Sequence, residues 1–168
     1  MSPRPLDPRI CNIALDANAL DLNGSAKDAL VTRFRQLVAE GKLVVVLGGG
    51  VRGEVQHPNT PANVQADMLP RIFNLQAVLN ASQQEVRRQV TMILQGDAQP
   101  GKHAADASHL SEAAETGCGY FITHDLRVIL KKRVALARVL PPSLTIATLT
   151  EFFGVFDDYE TVRRREVI

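Results

Sequence analysis

Short apolar runs alternate along the chain with longer stretches of helical periodicity. Residues 10–15 are apolar apart from Asn12, the length of a buried strand, and the run stops at Asp16-Ala17-Asn18. A polar turn over 21–24 follows, and Ser25 then stands where it can cap a helix carrying Leu30, Phe34, Leu37 and Val38 and closed by Gly41. Residues 43–47 read as a second buried strand, followed by Gly48-Gly49-Gly50 and a short segment containing Glu54. Residues 61–95 read as a helical excursion split by Pro70. Its second half opens on Ser82 and Glu85 at capping-box spacing and carries a stripe of Val86, Val90, Ile93 and Leu94. Another helix is expected from near His103 to a stop at Gly117. Residues 120–123 form a third strand running into Asp125, and 126–137 read as a helix. Pro141-Pro142 interrupts before a fourth strand at 144–147, and Thr148 and Glu151 make a second capping box.

Strands alternating with helices predict an α/β fold with a parallel sheet, because parallel neighbours need crossover connections and helices supply them. The pattern divides into an N-terminal extension over 1–9, one domain over 10–156, and a charged tail over 157–168 expected to be peripheral.

Composition narrows this only in part. At 168 residues and 45% hydrophobic content, one domain with an ordinary core is expected. Aromatic residues are 5% with no Trp, so a core of Ala, Val, Leu and Ile is expected. Cys11 and Cys118 are too few for a disulfide framework or a thiolate metal cage, which suggests a reducing, cytoplasmic setting. Neither a signal core nor a run of the ~20 apolar residues needed to span a membrane is found, so no membrane association is expected. The net charge of +1 excludes a globally basic nucleic-acid binder but leaves room for a local basic surface balanced by an acidic site.

In open parallel sheets, ligands bind outside the carboxyl ends of the strands, and Asp16 and Asp125 both stand there. Either one alone could simply cap the element that follows. Asp106 adds weight, because Leu110, Ala113 and Gly117 at i+4, i+7 and i+11 put it on the inward stripe of its helix. A carboxylate there needs a base, a donor network or a cation; its position near a helix N-terminus beside His103 is the plainer structural alternative. Glu54, after the second strand, would complete a rim of four acids. Such a rim suits a hard divalent cation, Mg²⁺ or Mn²⁺, whose bound water can be activated for phosphodiester hydrolysis.

These residues resemble the PIN domain, in particular the VapC-type ribonuclease toxins of prokaryotic toxin–antitoxin pairs. The likeness lies in Asp16-Ala17-Asn18 ending a strand, Glu54 after the second strand, Asp106 early in a later helix, and Thr123-His124-Asp125 after the next strand, over residues 10–153. The triple glycine before Glu54 and a longer stretch over 56–65 depart from the family pattern, which leaves Glu54 resting mainly on the resemblance. The resemblance implies a three-layer α/β/α domain around a mostly parallel sheet of four or five strands. It also implies catalytic acids Asp16, Glu54, Asp106 and Asp125, with metal held by Asp16, Asp106 and Asp125 and with Asn18 and Thr123 in support. The corresponding activity is a Mg²⁺- or Mn²⁺-dependent endoribonuclease acting as a toxin, a homodimer paired with an antitoxin protein. Arg127 and Lys131 beside the Asp125 rim, and Arg52 beside Glu54, are candidates to hold RNA phosphates, although a solvated helix face explains Lys131, Lys132 and Arg133 as well.

Competing readings fit less well. A P-loop needs Gly-Lys-Ser/Thr where the chain has Val51-Arg52-Gly53, and a haloacid-dehalogenase-like phosphatase needs an Asp where Asn18 stands. The main alternative is a PIN-like domain that binds RNA or a protein without cutting.

Overall fold

A computed structural model describes residues 4–46 and 78–167. The element order is β1 (Asn12–Leu15), α1 (Lys27–Ala39), β2 (Val44–Val46), α2 (Ala81–Gln95), α3 (Ala104–Glu115), β3 (Tyr120–Ile122), α4 (Arg133–Ala137), β4 (Thr145–Ala147) and α5 (Leu149–Glu166). The labels number the described elements in chain order. All pairings are parallel and the strand order is β2-β1-β3-β4, with Ile13 opposite Tyr120 and Phe121 opposite Ile146. Helices cover both faces of this four-stranded sheet, giving the three-layer α/β/α arrangement.

The two faces follow from strand alternation. Ile13, Leu15, Val45, Tyr120 and Ile122 point to the side covered by α1 and α5, whereas Ala14, Val46, Phe121 and Ile146 point to the side covered by α2, α3 and α4. The connection from β1 to β2 runs one way across the α1 face, and the connections into β3 and β4 run the opposite way across the other face. That is what right-handed crossovers require of a sheet whose strand order reverses. The reversal falls between β1 and β3, so a crevice opens at their carboxyl ends.

The aromatic residues depart from the compositional expectation. Phe34, Tyr120, Phe152, Phe153 and Phe156 gather on the α1/α5 face, with ring centroids 5.3 Å apart for Tyr120 and Phe152 and 5.6 Å for Phe34 and Phe152, in edge-on contact. A low overall count therefore hides a concentrated aromatic core. On the opposite face small Ala107 and Ala113 let α3 pack close beside aliphatic neighbours.

The local signals hold unevenly. Thr148 and Glu151 form the expected capping box, and Gly41 and Gly117 take positive φ at helix ends. Helix α2 opens two residues earlier than expected, because Asn80 and Gln83 make the capping box while Glu85 is held by Arg88. Residues 126–137 are not one helix: a 3₁₀ turn over Leu130–Lys132 leads into α4, and the bend sends both Ile129 and Leu136 into the core.

The charged tail is helical and is fastened at its start, while 161–167 are exposed. Residues 157–166 continue α5 without a break, and the expected boundary at 156/157 falls inside that helix. Asp157 pairs with Arg33, Glu160 pairs with Arg9, and the Tyr159 hydroxyl donates to the Pro5 carbonyl at 2.6 Å. The extension over 4–9 is thereby fastened to α5. Among the described residues, no helix is long and apolar enough to cross a membrane, and Cys11 and Cys118 are free thiols.

Candidate metal centre

Asp16 stands one residue past β1, where its backbone N–H donates to the Ile122 carbonyl and extends the β1–β3 pairing. Its side chain is buried at 5% exposure, which decides its chemistry: both carboxylate oxygens must be satisfied within the protein. Oδ1 accepts from the Ala17 N–H at 2.9 Å and Oδ2 accepts from the Thr123 hydroxyl at 2.8 Å. Thr123 is fully buried, and its oxygen also accepts from the Asp125 N–H at 3.0 Å. One hydroxyl thus fixes the orientation of Asp16 and the path of the chain after β3.

Asp106 lies in the first turn of α3, half-buried, with Leu110 and Ala113 of its own stripe in the core. Burial first, then the nearby charges of Asp16 and Asp125, push its carboxyl above the ordinary Asp value. His109, and then His103 with its Nδ1 3.6 Å away, offset this only in part. The acids thus face one another.

The structure adds a residue absent from the expected set. His109, three residues after Asp106 and 3% exposed, brings Nδ1 to 3.6 Å from Asp16 Oδ1. Asp16, Asp106 and His109 each offer a ligand atom, and the three atoms lie within 4.8 Å of one another. Ligands on a cation with bonds of ~2.1 Å stand about 3–4 Å apart, so a small adjustment of the half-buried Asp106 would seat one. The signal was legible: i+3 from Asp106 places His109 beside the same inward stripe.

The other expected residues fall variously. Asp125 is near enough for its charge to be felt at Asp106, but its Oδ1 caps the following turn, accepting from the Arg127 and Val128 N–H groups at 3.1 and 3.0 Å. It stands outside the three-residue group. Asn18 is exposed on the loop after Asp16 and lines a pocket with Asp21, Asn23, Lys27 and His124. Arg127 and Lys131 are exposed and form no ion pair among the described residues. Lys132 instead donates to the Leu94 carbonyl and Arg133 pairs with Glu151, so these two cations serve the fold. Glu54, Arg52 and the triple glycine lie outside the described residues.

Compared with protein-family models, curated proteins and solved structures, the chain matches none. The geometry of this rim and the motif order in the sequence are what bear on function.

Proposed function

We propose that this chain is a metal-dependent endoribonuclease of the PIN type, acting on RNA as the toxin of a toxin–antitoxin pair. The observation that carries the reading is the convergence of Asp16, Asp106 and His109 at the carboxyl crevice between β1 and β3, with Asp125 close by. Structural ion-pair networks match acids with cations, whereas this group sets acids against one another around a buried imidazole.

The donor set fits a divalent ion, Mn²⁺ or Mg²⁺. When bound, such an ion supplies an activated water and neutralises charge on phosphate oxygens. Asp16 and Asp106 would hold it, with His109 as a nitrogen donor that favours Mn²⁺ over Mg²⁺. Thr123 keeps Asp16 aimed inward. Asp106, at the rim and half-exposed, is the group placed to take a proton from a water bound in the crevice. Arg127 and Lys131 are the exposed cations nearest in sequence to the Asp125 turn and would hold backbone phosphates. An antitoxin would act by presenting a cation to the acids, and a homodimer follows from the same family resemblance.

The test is cleavage of structured RNAs by the purified protein with Mn²⁺ or Mg²⁺, against chelator and against Asp16→Asn and Asp106→Asn. Either substitution is expected to lower cleavage by about 10²-fold or more, since even partners of metal ligands cost 10–100-fold. Wild type and variants equally inert on all RNAs would defeat the proposal and leave a binding domain.

A further inference from the structure

Beside the acidic rim lies a separate pocket of about 220 Å³ lined by Asn18, Asp21, Asn23, Lys27 and His124. It is smaller than the ~300 Å³ at which pockets for drug-sized ligands begin, which suits a single ring system. The loop that forms it is braced from below. Asp28 accepts from the Asn23 and Gly24 N–H groups, and the Asn23 side-chain oxygen accepts from the Ser25 N–H at 3.1 Å. Asn23 therefore has its amide N–H₂ left to offer. The Asp21 carboxylate accepts no hydrogen bond from the described residues, although burial and the charge of Asp16 raise its pKa. His124 lines the pocket with both ring nitrogens covered by the protein.

We propose that this pocket is a guanine-binding site that receives one base of the RNA strand next to the acidic rim. A phosphate is disfavoured there, because Asp21 lines the pocket and Asp16 stands near enough to act on Asp21. A planar ring with hydrogen-bonding edges matches the lining: an imidazole ring, a carboxylate acceptor, amide groups and one ammonium donor. Guanine is the best complement among the four bases. Its ring N–H and exocyclic amine are adjacent donors for Asp21, and its O6 and N7 are acceptors for Lys27 and the Asn23 amide. Adenine and cytosine each set a ring acceptor beside their amine, and uracil flanks its single N–H with carbonyls, so all three oppose a lone pair of Asp21 with their own. Only the statement that the base belongs to RNA rests on the nuclease reading.

The experiment is an NMR titration of the full chain in EDTA with GMP, AMP, CMP, UMP and inorganic phosphate. The expected result is that GMP shifts the amides of residues 21–27 and of His124 and binds roughly 10-fold tighter than the other nucleotides, with that advantage lost in Asp21→Asn and reduced in Lys27→Met. The proposal is overturned if no nucleotide shifts these residues, if GMP shows no advantage, if phosphate alone reproduces its shifts, or if Asp21→Asn leaves the preference intact. Cleavage is read separately: binding of GMP without cutting of any RNA upholds the pocket and defeats the nuclease reading, and cutting without a base preference does the reverse.

Discussion

Two charged clusters sit at opposite ends of the sheet and solve the same problem differently. Where β1 begins, Arg9 lies between Asp7 and Glu160, 2.7 and 2.6 Å from their oxygens, and each acid has its cation. At the carboxyl end, Asp16, Asp106 and Asp125 share a crevice with His109 and no Lys or Arg pairs with them among the described residues. The chemistry reads the difference with opposite signs: Arg9 holds the Asp7 carboxyl below its ordinary value, whereas burial and neighbouring acids hold Asp106 above it. The first cluster answers each carboxylate with a guanidinium, and the second answers its carboxylates with N–H groups, a hydroxyl and imidazoles.

The sharpest way to break this contrast is Arg9→Ala. It strands two partly buried acids and loosens the segment over 4–9, so unfolding should be easier by about 2–3 kcal/mol, with unchanged Mn²⁺ affinity. Denaturant melts and calorimetric metal titration on the same sample check both halves. Thr123→Val should do the reverse. It removes the donor to Asp16 while keeping shape, so Mn²⁺ affinity should fall about 10-fold, and a loss seen only in stability would mean that the hydroxyl serves the fold alone.

The smallest effect is in pH. Asp7, with its pKa depressed, contributes stability above the unfolded value that is lost as acid protonates it through the lower folded value. Asp106, with its pKa raised, binds more protons folded than unfolded in the window above 3.8, so its contribution to the metal-free protein worsens as pH rises through that window. Asp106→Asn should accordingly raise the neutral-pH Tm of the metal-free protein by roughly 1–3 °C, and Asp7→Asn should lower it. Equal signs for the two variants would remove the distinction between the clusters.

Legibility in the sequence tracks how local the cause is. Asp16 and Asp125 are visible because a strand ends at each, Asp106 because one helical stripe includes it, and Thr123 only through the family resemblance. His109 stands legibly at i+3 from Asp106, but its proximity to Asp16 depends on the facing strand and is no part of the local pattern. The start of α2 differs from the expectation because Asn80–Gln83 and Ser82–Glu85 carry equivalent spacings, and Glu85 is engaged by Arg88 instead. The continuation of α5 depends on partners in residues 4–9 and on Arg33, more than a hundred residues away, which no window along the chain contains.

The Thr123–Asp16 hydrogen bond spans 107 positions of sequence. On the ribosome Asp16 emerges first, and β1 cannot acquire its β3 neighbour, nor Asp16 its donor, until more than a hundred further residues have been made. The acidic crevice is therefore born late. If the chain cuts RNA as proposed, this ordering would keep its nascent form inert until the strand that precedes Thr123 has been made.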